Sequence, residues 1–221
     1  MKTFATASPI STVLDIPAGR IQLIAADRAE TIVEVRPVDA SKARDVRAAQ
    51  ETTVEYEEGA LRITVPAKHQ ILGASGAVEV NVRVPAGSSV TATASATDLR
   101  GVGRLGAVTF HAAQSEIKLD EAAGVRLATQ AGSVSVGRLS GDAQISTKHG
   151  GIRIGEAVSG HHELRTEDGD ISVTAAAGAS ASLDAGTTAG RIHNALAGSG
   201  GNPDLQIRAT TIRGDIHARS L

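Results

Sequence analysis

A six-residue pattern, T-x-x-G-x-[I/V], occurs five times in the second half of the chain and constrains its fold more than any other feature. The apolar residue that ends each copy, together with Leu99 and Ile117 of two degenerate copies, recurs every 17–24 residues. Repeats of this length are typical of solenoids, in which each repeat forms one rung and stacking buries a shared core. The repeated threonines and glycines are Thr129, Gly132, Thr147, Gly150, Thr166, Gly169, Thr187, Gly190, Thr211 and Gly214.

The residues before each threonine alternate between apolar and polar side chains. Val125 and Leu127 precede Thr129, and Arg126 lies between them. Such alternation predicts a strand with one buried face, so each rung is expected to be a strand, a glycine corner and a second strand. We expect the threonine to face inward and to bond backbone groups of the corner or the threonine of the next rung, and the glycine to supply a positive φ. An antiparallel meander is the rival fold.

The first half of the chain also predicts β structure. Three strands are expected within residues 10–36, a hairpin within residues 52–65, and a regular strand at Val78–Val84. Residues 41–50 instead favour a short helix, with Ser41 as its N-cap. Helical structure is therefore expected to be a small exception in a chain of strands.

These patterns predict an all-β fold with two regions. A small β-sandwich-like N-terminal region that carries the short helix occupies residues 1–87, and a β-solenoid of stacked rungs occupies residues 88–221 and is continuous with it. Two Phe, one Tyr and no Trp leave valine, isoleucine, leucine and alanine to fill the core. Side chains of this kind suit thin layers of stacked strands.

Three rungs approximate the form V-x-[L/I]-x-T-x-x-G-[D/S]-[I/V]-x-[V/I], namely Val125–Val136, Ala143–Ile154 and His162–Val173. Gly-Asp-Ile occurs at Gly169–Ile171 and again at Gly214–Ile216. These repeats, with the strands before them, resemble the bacterial putative-adhesin β-strand-repeat family, also called the Toastrack domain, a domain family of unknown function. The resemblance covers most of the chain. It implies the β-repeat fold and a ligand- or partner-binding module linked to bacterial envelopes and stress responses.

Composition and charge argue against several classes of function. The net charge is −2, and aromatic residues make up 1% of the chain. Proteins that bind nucleic acids usually have a basic face and aromatic stacking residues, so we expect no nucleic-acid partner. Cysteine is absent, which excludes disulfides and thiolate metal sites. No apolar stretch approaches the ~20 residues of a membrane span, and the first residues lack an apolar signal segment, so we expect a cytoplasmic protein without membrane insertion.

Motifs that carry chemistry are weak in this sequence. Gly101–Gly106 matches G-x-G-x-x-G, but a dinucleotide site needs a helix after it, and a β-rich stretch follows. His161–Glu163 would need a second histidine at Thr166 to form a helical zinc site, so His162 is expected to be structural. Glu167–Asp170 is expected to be a solvated acidic corner rather than a calcium site. No catalytic residue, cofactor or metal is predicted.

His193 and His217 each follow the apolar residue of their rungs. We expect both side chains to face outward, about one or two rungs apart. The other residues of this outward column are Lys118, Ser135, Arg153 and Ser172. A polar surface column is the expected role, and the binding of an ion there is left open.

The sequence supports two functional hypotheses, of which the first is a non-enzymatic β-repeat scaffold. It would self-associate or bind a protein partner, in a bacterial stress or envelope-related system. Strand patterns run almost to Leu221, so we expect an unpaired C-terminal rung that forms a homo-oligomer. Candidate contacts also lie in the loop at 66–76, which either packs back onto the sheet or is exposed. The candidate interaction residues are Ile71, Leu72, Ile207, Ile212, Ile216 and Leu221.

The second hypothesis is a carbohydrate- or small-ligand-acting protein that uses an acidic groove on the solenoid. Glu163, Asp168, Asp170 and Asp184 are the acidic residues that would line it. Such grooves usually combine paired carboxylates with stacked aromatic side chains, and this chain has few aromatic residues. We therefore favour the first hypothesis and expect no enzymatic activity.

Overall fold

The computed structural model describes residues 1–66, 76–197 and 203–221. These residues form two compact units, Met1–Ser115 and Glu116–Leu221. Both units are built of β-strands, and the one α-helix of the described residues lies in the first unit. None of the described residues belongs to a helix long and apolar enough to cross a membrane. The boundary predicted from the repeats stays a prediction.

The first unit is an array of strands with a single short helix among its described residues. Its elements are β1 (Lys2–Ala5), β2 (Ser11–Asp15), β3 (Ala18–Ala26), β4 (Glu30–Pro37), α1 (Ala43–Glu51), β5 (Thr53–Glu57), β6 (Ala60–Thr64), β7 (Val78–Pro85), β8 (Ser89–Thr93) and β9 (Ala96–His111). The three strands predicted within residues 10–36 are confirmed as β2, β3 and β4. The predicted strand at Val78–Val84 is confirmed as β7.

Parallel pairing dominates the first unit. β2 lies between β6 and β8, and β3 lies between β7 and β9, all in parallel register. β4 pairs antiparallel with β1 and β7, and β5 and β6 form the predicted antiparallel hairpin. Rung-like parallel stacking is therefore present before the T-x-x-G-x-[I/V] repeats begin.

The predicted helix is confirmed, but it begins differently from the prediction. Lys42 is the N-cap residue of α1, and it makes no side-chain capping hydrogen bond. Ser41 instead donates its hydroxyl to the Asp39 carboxylate at 2.6 Å. The prediction of Ser41 as the N-cap is wrong, because this local turn occupies the serine hydroxyl before the helix starts.

The regular secondary structure of the second unit, over its described residues, consists of β-strands. They are β10 (Ile117–Ala128), β11 (Val134–Leu139), β12 (Ala143–Ser146), β13 (Ile152–Ala157), β14 (Gly160–Arg165), β15 (Ile171–Ala175), β16 (Ala181–Ala189), β17 (Ile192–Ala195), β18 (Leu205–Arg213) and β19 (Ile216–Ser220).

These strands form two walls. The first wall stacks the later part of β10, then β12, β14, β18 and β16. The second wall stacks the early part of β10, then β11, β13, β15, β19 and β17. All of these pairings are parallel and set equivalent repeat positions opposite one another, as stacking of repeats requires. The solenoid is therefore confirmed, and the antiparallel meander is wrong.

The last rungs do not stack in the order of the sequence. β18 pairs with β14 on one side and with β16 on the other. In the second wall β19 likewise lies between β15 and β17. The C-terminal rung is therefore an interior rung, and the rung of β16 and β17 lies outside it. The prediction of an unpaired C-terminal rung is wrong, because it assumed that rungs stack in chain order.

Inward side chains form continuous aliphatic columns. In the second wall Ile117, Val134, Ile152, Ile171 and Ile216 stand in register, and each is at most 1% exposed. Full burial of one such side chain contributes about 1.5–3 kcal/mol through its removal from water. A slip of one residue would turn every member of the column to solvent, so the column also fixes the register of the rungs.

The corner threonines join neighbouring rungs. The Thr166 hydroxyl donates to the Gly150 carbonyl at 3.0 Å, and the Thr211 hydroxyl donates to the Gly169 carbonyl at 3.1 Å. The same bond links Thr147 to Gly132 at 3.3 Å and Thr187 to Gly214 at 3.1 Å. Each hydroxyl thus satisfies a carbonyl that the sharp corner would otherwise leave inside the stack without a partner.

The corner glycines are required by close approach as well as by backbone conformation. Gly150 has a φ of +143°, and a Cβ there would lie 2.2 Å from the Gly132 carbonyl oxygen. Gly190 has no positive φ, so that expectation fails for its copy. A Cβ at Gly190 would nevertheless lie 1.9 Å from the Gly214 carbonyl oxygen. Stacking of one corner on the next is therefore the common reason for glycine.

Candidate interaction surface

We call the rung of β16 and β17, residues 181–195, the open rung, because its strands are paired on one side. β16 pairs with β18, β17 pairs with β19, and no other strand of the described ranges pairs with either. Alternate backbone N–H and C=O groups of an edge strand point away from the sheet. The open rung therefore offers donors and acceptors to a further strand.

The open rung exposes apolar side chains at positions that are buried in the neighbouring interior rung. Ile192 stands in register with Ile216, yet Ile192 is 44% exposed and Ile216 is 1% exposed. Leu183 is partly exposed and stands in register with the buried Ile207. A further strand stacked on the open rung would remove both exposed side chains from water.

The open rung has few of the features that protect exposed edges. Proteins commonly block edge strands with lysine, proline or inward-pointing charges. Residues 181–195 contain no lysine and no proline, and their charged residues are Asp184 and Arg191. Asp184 already forms an ion pair with Arg208 of β18, with 3.2 Å between Oδ2 and Nε. The edge is therefore chemically suited to pairing with another strand.

The interaction residues predicted from the sequence lie elsewhere. Ile207 and Ile216 are 2% and 1% exposed, so both are core residues of the interior rung and their selection as contacts is corrected. Ile212 and Leu221 are 50% and 67% exposed. The remaining candidates, Ile71 and Leu72, lie outside the described residues.

Two of the four acidic residues proposed for a groove lie at the corners of the rungs. Asp168 accepts a hydrogen bond from Arg213 at 2.9 Å. Asp170 accepts one from the backbone N–H of Asp215 at 2.7 Å. Both carboxylates are thus used between neighbouring rungs. In the described part of the chain, no group of three or more His, Asp or Glu side chains is placed to hold a metal ion.

The other two acidic residues share a concavity on the outer face of the first wall. Glu163 and Asp184 line this space of about 570 Å³. Arg208 stands between them in register, since it is opposite Glu163 on one side and Asp184 on the other. The Arg208 guanidinium therefore lies between the two carboxylates and forms an ion pair with Asp184. The sequence-predicted acidic cluster is thus divided between the corners and this concavity.

His193 and His217 lie side by side on β17 and β19. Their rings are stacked with centroids 4.8 Å apart and planes within 2° of parallel. The outward column continues through Ser172 to Arg153. Sequence spacing placed these residues in one column, but it could not show which of the two histidines adjoins Ser172, and the structure places His217 there.

His162 faces inward in the first wall, where its column partners are Ala143 and Ile207. The side chain is 1% exposed, and its Nε2 lies 3.0 Å from the Gly141 carbonyl oxygen. Burial lowers the pKa of His162 below its ordinary value of 6.5, although the hydrogen bond to Gly141 opposes the shift. The ring is therefore neutral near pH 7 and donates from Nε2.

The glycine-rich segment Gly101–Gly106 lies within the extended strand β9. It is not followed by a helix, so it lacks the strand–loop–helix geometry of a dinucleotide site. Glycine is required at one of these positions for packing, because a Cβ at Gly103 would lie 2.1 Å from the Ala25 carbonyl oxygen.

Parallel strands that turn at threonine–glycine corners and stack rung on rung place this chain in the class of β-solenoid repeat proteins. The family model described as Toastrack DUF4097 matches residues 38–219. The chain belongs to this family. A search of curated proteins found no match.

Three solved structures are among those that this chain matches. A putative cell adhesion protein from Clostridium sporogenes has 12% identity and a TM-score of 0.42, with 100% of this chain and 98% of that chain covered. Putative adhesins from Bacteroides fragilis and Parabacteroides distasonis have 9% and 16% identity, each with a TM-score of 0.43 and coverage of 98% of this chain and 95% of the other.

Proposed function

We propose that this chain is a non-enzymatic scaffold that self-associates through the open rung. The observation that carries the proposal is the unpaired edge of β16 and β17, with Ile192 44% exposed at the end of an otherwise buried column. Membership of a β-repeat family supports an interaction role in general. The proposal retains the cytoplasmic location expected from the sequence, and the link to stress or envelope systems follows from the resemblance alone.

A second copy of the chain is the partner that the charges of β16 favour. Consider two copies of β16 paired antiparallel about a two-fold axis at Ala185, the middle residue of Ala181–Ala189. Leu183 would then face Thr187 of the other copy, and Asp184 would face Gly186. No charge lies directly opposite a like charge, which would destabilise the pair. Two-fold pairing is also the commonest symmetry of soluble homo-oligomers.

Sedimentation velocity at micromolar concentration tests this proposal with one matched pair of variants. Ile192→Lys puts an ammonium group into the expected interface. Ile212→Lys makes the same change at a site that is 50% exposed on the interior rung. We expect the native chain to dimerise, Ile192→Lys to raise the dimer dissociation constant about tenfold or more because a buried unpaired charge is costly, and Ile212→Lys to have little effect.

Two results would contradict self-association through the open rung. One is a native chain that stays monomeric over the concentration range. The other is a dimer that survives Ile192→Lys and dissociates on Ile212→Lys, which would move the interface to the C-terminal rung. If the chain stays monomeric and its open rung binds a strand of another protein, that protein is the occupant of the edge in place of a second copy.

A further inference from the structure

A concavity of about 400 Å³ lies on the outer face of the second wall and reaches the open rung. Arg153, His217 and His193 line it from β13, β19 and β17 at one register position. Arg219 lines it from two residues further along β19. Four side chains able to donate hydrogen bonds therefore meet in one place, although they are far apart in the sequence.

The charges of this concavity are not neutralised by its own residues. Arg153 forms no ion pair and no side-chain hydrogen bond with the described part of the chain. Arg219 uses its Nε, which donates to the Thr174 hydroxyl at 3.3 Å, and its two terminal nitrogens have no hydrogen-bond partner in the described ranges. None of the lining residues is acidic. The chain as a whole has a net charge of −2, so this concentration of guanidinium groups is a local feature.

The nearest carboxylates along these strands are already engaged. Asp170 and Asp215 lie two residues before Ser172 and His217. Asp170 accepts the backbone N–H of Asp215, and Asp215 accepts the backbone N–H of Arg191 at 2.8 Å. The larger concavity of the first wall differs in this respect, because Asp184 and Arg208 neutralise each other there.

The donor set favours an anion over a metal ion. Two histidines on adjacent strands alone would suit a transition metal, but the neighbouring guanidinium groups would repel a cation. Guanidinium groups bind phosphate-like oxyanions through paired N–H donors, and each imidazole adds a donor. We propose that this concavity is a binding site for a tetrahedral oxyanion of the phosphate or sulfate class, held by Arg153, Arg219 and the His193–His217 pair.

NMR titration of the isotopically labelled full chain with inorganic phosphate tests the site. Sulfate, acetate and chloride at matched ionic strength serve as the other ligands. Phosphate and sulfate are expected to shift the amide signals around His193 and His217 in a saturable way, acetate to bind more weakly because it is a planar monoanion, and chloride to have no saturable effect. Arg153→Gln and Arg219→Gln are each expected to weaken phosphate binding about tenfold or more, because each removes charged hydrogen bonds.

Arg126→Gln is the matched control, since it removes the same charge from β10, where Arg126 Nε donates to Gln144. It should bind phosphate like the native chain. Equal shifts with chloride, equal affinity for acetate, or unchanged affinity in both Arg153→Gln and Arg219→Gln would overturn the proposal. His193→Ala/His217→Ala keeps both guanidinium groups and is also expected to weaken phosphate binding, because it removes both imidazole donors. The titration does not depend on self-association, so either proposal can fail alone.

Discussion

At the scale of the residue, the corner couples each rung to its neighbour through two different groups. Threonine supplies a hydroxyl that reaches the glycine carbonyl of a neighbouring rung, as in the 3.0 Å bond from Thr166 to Gly150. Glycine supplies the absence of a side chain, which allows that carbonyl to approach the corner above it. Because each corner lies on the next, a change at one corner disturbs the contact between two rungs.

Gly150→Ala should destabilise the fold strongly. Its Cβ would lie 2.2 Å from the Gly132 carbonyl oxygen, and alanine would have to adopt a φ of +143°. Backbone strain and overpacking together should lower the free energy of unfolding by about 2–5 kcal/mol. Denaturant unfolding followed by circular dichroism measures the change.

Gly178→Ala separates the two causes of that loss. Gly178 has a positive φ of +78°, but a Cβ there would have no heavy atom within 4 Å. We expect a loss of about 1–2 kcal/mol from conformation alone. Equal losses at Gly150 and Gly178 would contradict the role of rung-to-rung contact.

His162 should make stability depend on pH in the mildly acidic range. Its pKa is lowered in the folded state from 6.5, so below about pH 6.5 the unfolded chain binds more protons than the folded chain. The contribution of the neutral His162 ring to stability is therefore fully present above about pH 6.5, and it is lost as the pH falls towards the lowered pKa. His162→Leu should remove this part of the pH dependence in urea unfolding, because leucine does not titrate.

His111→Leu is the control for that measurement. His111 is an exposed residue of β9 and is not among the groups that shift the pKa of His162, so this variant should keep the pH dependence that His162→Leu removes. A His162→Leu chain with the native slope would show that another group causes the dependence.

At the scale of the element, the repeat predicts which residues share a column but not the order of the rungs in it. Ile171, Ile192 and Ile216 occupy one register position whichever of the last two rungs lies inside. Alternation and glycine placement are local properties, so they are unchanged when two rungs exchange places. The solenoid, the inward threonines and the outward histidines could therefore be read from the sequence, whereas the site at the end of the stack could not.

Two weaker signals of the rung order are present in the sequence. Gly-Asp-Ile occurs at 169–171 and 214–216, and these rungs are neighbours, with Asp170 accepting the N–H of Asp215. Asp215 in turn accepts the N–H of Arg191. Alternate residues of β18, Leu205, Ile207 and Ala209, are also all apolar, as the buried face of an interior strand requires. Neither signal decides the order of the rungs by itself. The aspartate side chain, for example, would accept a backbone N–H from any rung stacked next to its own.

At the scale of the whole molecule, the position of the C-terminal rung decides which surface is available for interaction. It places residues 205–220 inside the stack and leaves residues 181–195 at its edge. It also sets His217 and Arg219 next to β15, nearer to Arg153 of β13 than chain-order stacking would place them. Both proposed surfaces therefore depend on one topological feature of the second unit.

Disulfide cross-linking tests that feature most directly, because the chain contains no cysteine. His161 is opposite Gln206, and Gln206 is opposite Ser182, on three successive strands of the first wall. Adjacent strands lie about 4.8 Å apart, within the reach of a disulfide, and strands two apart are beyond it. Gln206→Cys/Ser182→Cys should cross-link in either rung order and is the positive control.

The structure predicts that His161→Cys/Gln206→Cys forms a disulfide under mild oxidation and that His161→Cys/Ser182→Cys stays reduced, as read by thiol labelling and mass spectrometry. The reverse result, with cross-linking of 161 to 182 and none of 161 to 206, would show that the rungs stack in chain order and that the C-terminal rung is the open one.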